Sequence, residues 1–405
     1  MKIVVLAQFA GSIHHGMVFG HYYLAKEWVS AGYDVTIVAA RFAHTRQVQP
    51  QEGVTEEWID GIRYVWLNTP VYDANDKVGR VRSMLSYTVR TWWSFPQQEA
   101  DVIICSSHHP FAIHSAKKWA KKRSAKLIFE VRDLWPLTLI QLGGASPKNP
   151  FIQLMQWSED VAYRVADHTV SVLNNAFDYM QQHGLERARY HVIPNSIQLD
   201  ASEQSMPLPD AQAAQLTALT ARCDFVVGYA GRVGLANALE PLVDAVRILA
   251  DDDIHVGMVV LGDGSHADSL KQHAIDQGIH EQCAFLGSVA KAQVADCLAQ
   301  LDAAYIGLQS HPLFHYGVSP TKINDYMLAA KPIVCAIDSP NNDVEQAQCG
   351  IQCVPENPST VANAIRELRA MSEQERIAMG QAGKDWLIKH KSYTRLAAQF
   401  AELFE

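Results

Sequence analysis

Short apolar runs, most of them bounded by glycine, proline or polar residues, recur along the whole chain. In the first half they fall at Lys2–Ala7, Asp34–Ala40, Ile62–Leu67, Val102–Ser106, Leu127–Val131, Thr169–Leu173 and His191–Ile193. Runs this short suit strands. Helical periodicity fills several of the gaps, as at Tyr22–Ser30 and Phe111–Lys122. Strand and helix in alternation predict a mainly parallel sheet. Residues 198–222 break the rhythm, because Gln198–Pro209 is polar and carries two prolines. A second series then begins at Phe225–Ala230, His255–Leu261, Cys283–Leu286, Ala303–Ile306, Ile333–Ile337 and Ile351–Val354, and the end from about Gln374 to Phe404 is helical. The expected fold class is α/β, with two doubly wound, Rossmann-like domains and an interdomain cleft that takes ligands at the carboxyl ends of the strands. The expected boundaries are 1–200 for the first domain, 201–222 for a linker and 223–385 for the second domain. No repeat of solenoid period is present.

A chain of 405 residues is long enough for two such cores, and 48% apolar with 19% charged residues is a globular composition. No apolar run approaches the roughly 18–20 residues of a membrane span. The opening run is short and interrupted by Gln8, so it suits a first buried strand better than a leader. Seven scattered cysteines, of which only Cys349 and Cys353 lie close, predict reduced and mostly buried thiols in a cytoplasmic protein. The net charge of −9 argues against nucleic acid as a partner, yet residues 75–126 carry ten lysines and arginines against three acids. Trp92, Trp93, Phe95 and Trp119 interleave with those charges. This mixture suits an anionic bilayer surface; a solvated helix face with two core tryptophans is the alternative.

Chemistry concentrates at Tyr316-Gly-Val-Ser-Pro-Thr-Lys-Ile-Asn-Asp-Tyr-Met-Leu-Ala-Ala-Lys-Pro-Ile-Val334. A turn of small and hydroxyl residues, with Ser319, Pro320 and Thr321, opens a helix expected over Lys322–Ala330. Free amides and the positive dipole end at a helix start attract anions, and Lys322 adds a full charge. Asp325, one turn on, can accept hydrogen bonds from a vicinal diol such as a ribose. Diphosphate and ribose together specify a nucleotide. Earlier, Gly231 lets backbone approach a ligand at the end of a strand, and Arg232 offers a fork of donors suited to a diphosphate.

The string at 316–334 resembles the donor-binding motif of GT-B glycosyltransferases of family four, in the branch of bacterial O-antigen and capsule synthesis. The resemblance extends to Gly231-Arg232, to Leu261-Gly-Asp-Gly-Ser265, to Phe285-Leu-Gly-Ser-Val289, to Glu130-Val-Arg-Asp-Leu-Trp-Pro136 and to Pro194-Asn-Ser-Ile197. It implies that Gly262 and Gly264 border the nucleotide, and that Leu286 and Val289 line the base pocket with backbone groups. It makes Gly16, in the loop Gly11–Gly20, the counterpart of a glycine that lies against the donor phosphates. His14 and His15 in that loop, and His108 and His109 after the fourth run, become acceptor contacts; two exposed loop histidines are the plainer alternative for the first pair. Arg132 or Asp133 takes the place of a histidine that contacts the transferred sugar, with a mutual ion pair as the alternative. The resemblance also implies that 386–405 forms a helix packing back on the first domain. Two positions depart from the family pattern. Asn237 stands where many members have a second lysine, and Gly317 stands where most have a sugar-contacting glutamate.

What the resemblance implies for function is a retaining transferase that moves a sugar from a nucleotide-sugar, a UDP-sugar in particular. The acceptor would be an undecaprenyl-diphosphate-linked saccharide at the inner face of the plasma membrane. Arg232, Lys322 and Arg132 would carry the catalytic charge. No cofactor and no metal are expected, since positive side chains and a helix dipole serve the leaving group, and Asp251-Asp-Asp253 sits in a polar connector. Two other readings are a nucleotide-sugar 2-epimerase of the same fold and a catalytically silent membrane scaffold. The basic face at 75–126 speaks against the epimerase.

Overall fold

The computed structural model describes residues 1–16, 20–73, 76–94, 99–199, 205–340 and 342–405. Phe95, most of the loop after Gly16 and the start of the expected linker lie outside them. The chain forms two units: Met1–Ser196 with Tyr393–Glu405, and Ile197–Ser392.

Among the described residues the first unit holds strands β1 (Lys2–Leu6), β2 (Asp34–Ala40), β3 (Glu56–Ile59), β4 (Ile62–Leu67), β5 (Val102–Ser106), β6 (Lys126–Val131), β7 (His168–Ser171) and β8 (Tyr190–Val192). Their order in the sheet is β3-β4-β2-β1-β5-β6-β7-β8. All pairings are parallel except β3 with β4. The order reverses between β1 and β5, so the carboxyl ends of those two strands flank the switch point where such sheets bind ligands. The β3 strand was absent from the sequence expectation, although Asp60-Gly61 is a two-residue hairpin signal and both residues have positive φ, 49° and 77°.

The second unit holds β9 (Phe225–Ala230), β10 (Val256–Leu261), β11 (Cys283–Gly287), β12 (Ala303–Gly307), β13 (Ile333–Ala336) and β14 (Gly350–Gln352), in the order β11-β10-β9-β12-β13-β14 and parallel throughout. Here the switch lies between β9 and β12. Both faces of this sheet are apolar. Val227, Tyr229 and Met258 enter one core layer, while Val226, Val259 and Leu261 enter the other. That is why these strands read as unbroken apolar runs.

Two expected boundaries change. Helix Asp210–Thr220 is part of the second unit rather than a linker, because Leu216 and Leu219 bury themselves in its core. The terminal helix divides into Glu373–Lys391 and Tyr393–Ala401. Residues 386–392 stay with the second unit, anchored by buried Leu387 and by an ion pair between Lys391 and Asp343. From Tyr393 on, the chain packs on helix Gly20–Ser30. Trp28 Nε1 donates to the Ala397 carbonyl at 3.0 Å and meets Phe400 and Phe404 edge-on.

Candidate functional site

In the second unit, β9 is followed directly by Gly231, with φ 149°. Any Cβ there would collide with the side chain of Lys322, which lies across the strand end. Gly262, after β10, is needed for a similar reason, because a Cβ would strike the Gly231 carbonyl. The two strand ends therefore approach as only glycine allows. Helix Thr321–Leu328 starts at Pro320, and no side chain caps it, so its first amides point outward with the dipole. Tyr326 fixes that helix to the end of β9, its hydroxyl accepting from the Ala230 amide at 2.9 Å.

Lys322 Nζ donates to Asn237 Oδ1 at 3.0 Å, and Asn237 Nδ2 donates to the Arg232 carbonyl at 3.0 Å. Asn237 therefore spends its amide on holding Lys322 and the Arg232 backbone. Burial lowers the Lys322 pKa, and nearby Asp325 partly opposes this. Arg232 is exposed, and its guanidinium makes no ion pair among the described residues, so the surface salt bridge that would explain it structurally is not there. Asp325 Oδ1 accepts from Lys291 Nζ at 2.5 Å. A cavity of about 270 Å³ is lined by Gly231, Arg232, Gly262, Asp263, Ser288 and Val289 among others. Gly264 follows in the same turn, and Ser319, Pro320 and Thr321 lead into the helix. Leu286 has its side chain buried in the core, and its carbonyl accepts from Gln212 Nε2 at 3.4 Å. Alternation along β11 turns Leu286 inward, while Val289 beyond the strand reaches the cavity.

In the first unit, the switch point gathers polar groups from β1, β5 and β6. His109 Nε2 and Gln8 Oε1 lie 2.7 Å apart, joining the ends of β1 and β5. Glu130, buried at the end of β6, contacts His21 Nε2 through Oε2 at 2.6 Å and accepts from Arg132 Nη1 through Oε1 at 3.1 Å. Arg132 Nη2 also donates to Asn195 Oδ1 at 2.8 Å, tying together two of the strings singled out in the sequence. Burial alone would raise the Glu130 pKa, but His21 and Arg132 outweigh it and hold the carboxyl well below its ordinary range. Arg132 thus pairs with Glu130 rather than with Asp133, which accepts from Thr138 Oγ1 at 3.2 Å and whose pKa burial raises.

The histidines separate into different environments. His14 is exposed and available. His15 is interior: its Nδ1 lies 2.8 Å from Ser12 Oγ, its ring meets Trp66 edge-on, and burial pushes its pKa down to about 4. It braces the turn that ends at Gly16, so the sequence expectation of a ligand contact is corrected there. Gly16 itself packs against Gln47, with φ 71°. His109 is likewise interior, with burial lowering its pKa to about 3. His108 is half-buried beside Phe9 and His21, and burial holds its pKa well below the ordinary value.

Sequence reasoning missed His21 and Glu130. Glu130 stood inside a string already singled out, but its partner is 109 residues away, and only the strand order brings them together. It also missed Lys291, whose ion pair with Asp325 crosses two helix starts.

Residues 16–196 match the family model described as glycosyl transferase 4-like domain, and residues 224–370 match that of glycosyl transferases group 1. No curated protein matches the sequence. Among solved structures, the sucrose-phosphate synthase of Thermosynechococcus elongatus superposes with a TM-score of 0.70 at 14% identity, covering 100% of this chain and 98% of that one. Anabaena HepE, solved in complex with UDP and glucose, gives 0.67 at 16% identity over 99% and 98%. WaaG, a glycosyltransferase involved in lipopolysaccharide biosynthesis, gives 0.66 at 12% identity over 99% of each chain. At these identities the likeness to the solved structures is one of fold.

Proposed function

We propose that this chain, which belongs to the GT-B glycosyltransferases that join a glycosyl transferase 4-like domain to a group 1 domain, transfers a sugar with retention from a UDP-sugar to a lipid-linked saccharide. The observation that carries this reading is the placement of Lys322. It stands in the first turn of a helix that no side chain caps, is held by Asn237 and crosses Gly231, the neighbour of Arg232. As the glycosidic bond breaks, negative charge grows on the leaving diphosphate. Two cations, one of them held in place, and a helix dipole stabilise that charge more in the transition state than in the ground state. Lys322 also supplies the charge that the family's second lysine would otherwise share, so Asn237 orients a cation instead of replacing one. Asp325 accepts from the ribose diol, and its partner Lys291 limits its repulsion of the phosphates. These charges serve in place of a metal.

UDP bound to HepE and the lipopolysaccharide role of WaaG support the nucleotide and the acceptor class. In the first unit, Glu130 fixes Arg132 at the switch point, and the family resemblance gives Arg132 the contact with the transferred sugar; His14, His108 and Asp133 are the remaining acceptor contacts. Retention follows from the family resemblance. No described helix is long and apolar enough to cross a membrane, and the basic face at 75–126 supports a peripheral position at the inner leaflet. The test is calorimetry with UDP in the presence of a chelator. Wild type binds in the micromolar range, while Arg232→Ala and Asp325→Ala bind far more weakly. Loss of the Arg232 donors also lowers kcat by about 10²–10³-fold. Equal UDP affinity in all three proteins would overturn the assignment.

A further inference from the structure

Helix Lys77–Ser94 is built inside out. Its inner side repeats every fourth residue as Gly79, Ser83, Tyr87 and Thr91, all buried. Their polar atoms are spent on the first unit: Ser83 Oγ accepts from Gln8 Nε2 at 3.2 Å, Tyr87 donates to the Val38 carbonyl at 2.7 Å, and Thr91 donates to Ser115 Oγ at 3.0 Å. The apolar residues point the other way. Val78 is 70% exposed, Leu85 41%, Val89 55%, Trp92 36% and Trp93 70%. At 100° per residue these five fall within a stripe about 100° wide, the usual width of a core-facing stripe, here turned to solvent. A recess of about 490 Å³ runs along it, lined by Leu85, Ser86, Val89, Arg90 and Trp93. Of the two exposed tryptophans neither is in the core; Trp119 alone of the three is buried. The alternative of a solvated face with two core tryptophans therefore does not describe this helix.

The surroundings of the stripe identify what covers it. Lys77, Arg82 and Arg90 on the same helix are exposed, as are Lys117, Lys121 and Lys122 on the neighbouring helix Ile113–Arg123. Lys118 lies 4.1 Å above the Trp92 ring and 5.0 Å from that of Trp119, linking the two helices. Residues 75–126 carry +7 in a chain of net charge −9. A second copy of this surface would bring like charges together, whereas an anionic bilayer offers both apolar depth and opposite charge. We infer that helix Lys77–Ser94 lies flat on an anionic lipid surface, with Val78, Leu85, Val89 and Trp93 inserted among the acyl chains and the arginines and lysines at the headgroups. This deepens the peripheral placement proposed above and rests on that reading only for its purpose, the delivery of a lipid-linked acceptor.

The test is co-sedimentation of the full chain with vesicles of phosphatidylcholine containing about one third phosphatidylglycerol, against pure phosphatidylcholine. Wild type partitions into the anionic vesicles, and 0.5 M salt weakens this. Arg82→Glu and Arg90→Glu each lower the partition coefficient by fivefold or more, since one basic residue near such a surface is worth about fivefold in binding. Val89→Asp with Trp93→Asp abolishes it, while circular dichroism and UDP affinity stay at wild-type values. The inference is overturned if wild type ignores both vesicles or if the variants partition like wild type. It is also overturned if the native chain is a dimer, without lipid affinity, that the double variant dissociates. Vesicle binding without UDP binding would leave this inference standing and remove the donor-site reading instead.

Discussion

At Lys322, burial and function pull in opposite directions. Burial favours the neutral amine and lowers the pKa from the ordinary lysine value, yet the proposed role requires the ammonium. A diphosphate restores the charge on arrival, so binding takes up a proton wherever the free lysine has lost one. The sign follows: UDP affinity is highest below the lowered pKa and falls as pH rises through it, by up to about tenfold per unit. Lys322→Arg, whose guanidinium stays charged, flattens this dependence, and Lys322→Met binds weakly at every pH. Calorimetry from pH 7 to 10 in buffers of different ionisation enthalpy reads both the affinity and the proton uptake. The residues around Lys322 show how far the sequence could be read. Arg232, Lys322 and Asp325 stand out because their strings place them at a strand end and a helix start. That Asn237 would grip Lys322, or that Lys291 would reach Asp325, depends on side-chain paths across separate elements, which no local pattern encodes.

The terminal element is stabilised by one small set of apolar side chains. Helix Tyr393–Ala401 is too short to persist alone in water. Its stability comes from Leu396, Ala397 and Phe400 packing against helix Gly20–Ser30, with Tyr23 stacked on Tyr393 at 4.8 Å. Phe400 is 2% exposed and touches Trp28. Phe400→Ala is expected to cost about 3–5 kcal/mol through lost burial and the cavity it leaves. Denaturant unfolding followed by tryptophan fluorescence measures the loss. A shift under about 1 kcal/mol would mean that the helix contributes little to the first unit. The helical character of 374–404 was legible from its pattern; the break at Ser392 was not. The break lies where Lys391 pairs inside the second unit and Tyr393 packs inside the first, and each is a long-range contact.

For the molecule as a whole, a ligand that binds only the folded state stabilises it by mass action. UDP at about 100 times its Kd is expected to add about 2.7 kcal/mol, with EDTA present. The thermal midpoint should rise in wild type and stay constant in Arg232→Ala. A rise that needs added divalent metal would contradict the role given to Arg232 and Lys322.

What the chain alone determined is its class and most of its elements. Continuous apolar runs alternating with helical periodicity specify parallel sheets buried on both faces, because only that arrangement removes such strands from water without leaving their backbone unpaired. The motif strings also singled out Gly231, Gly262 and Lys322, which the structure brings together at the ends of two strands and the start of a helix. The tertiary structure decided everything that depends on long-range neighbours. It set Glu130 between His21 and Arg132, sent His15 and His109 into the interior, joined the terminal helix to the first unit, and turned the apolar side of Lys77–Ser94 outward. The periodicity of a helix defines its stripes, but which stripe meets the core is settled by the sheet it packs on.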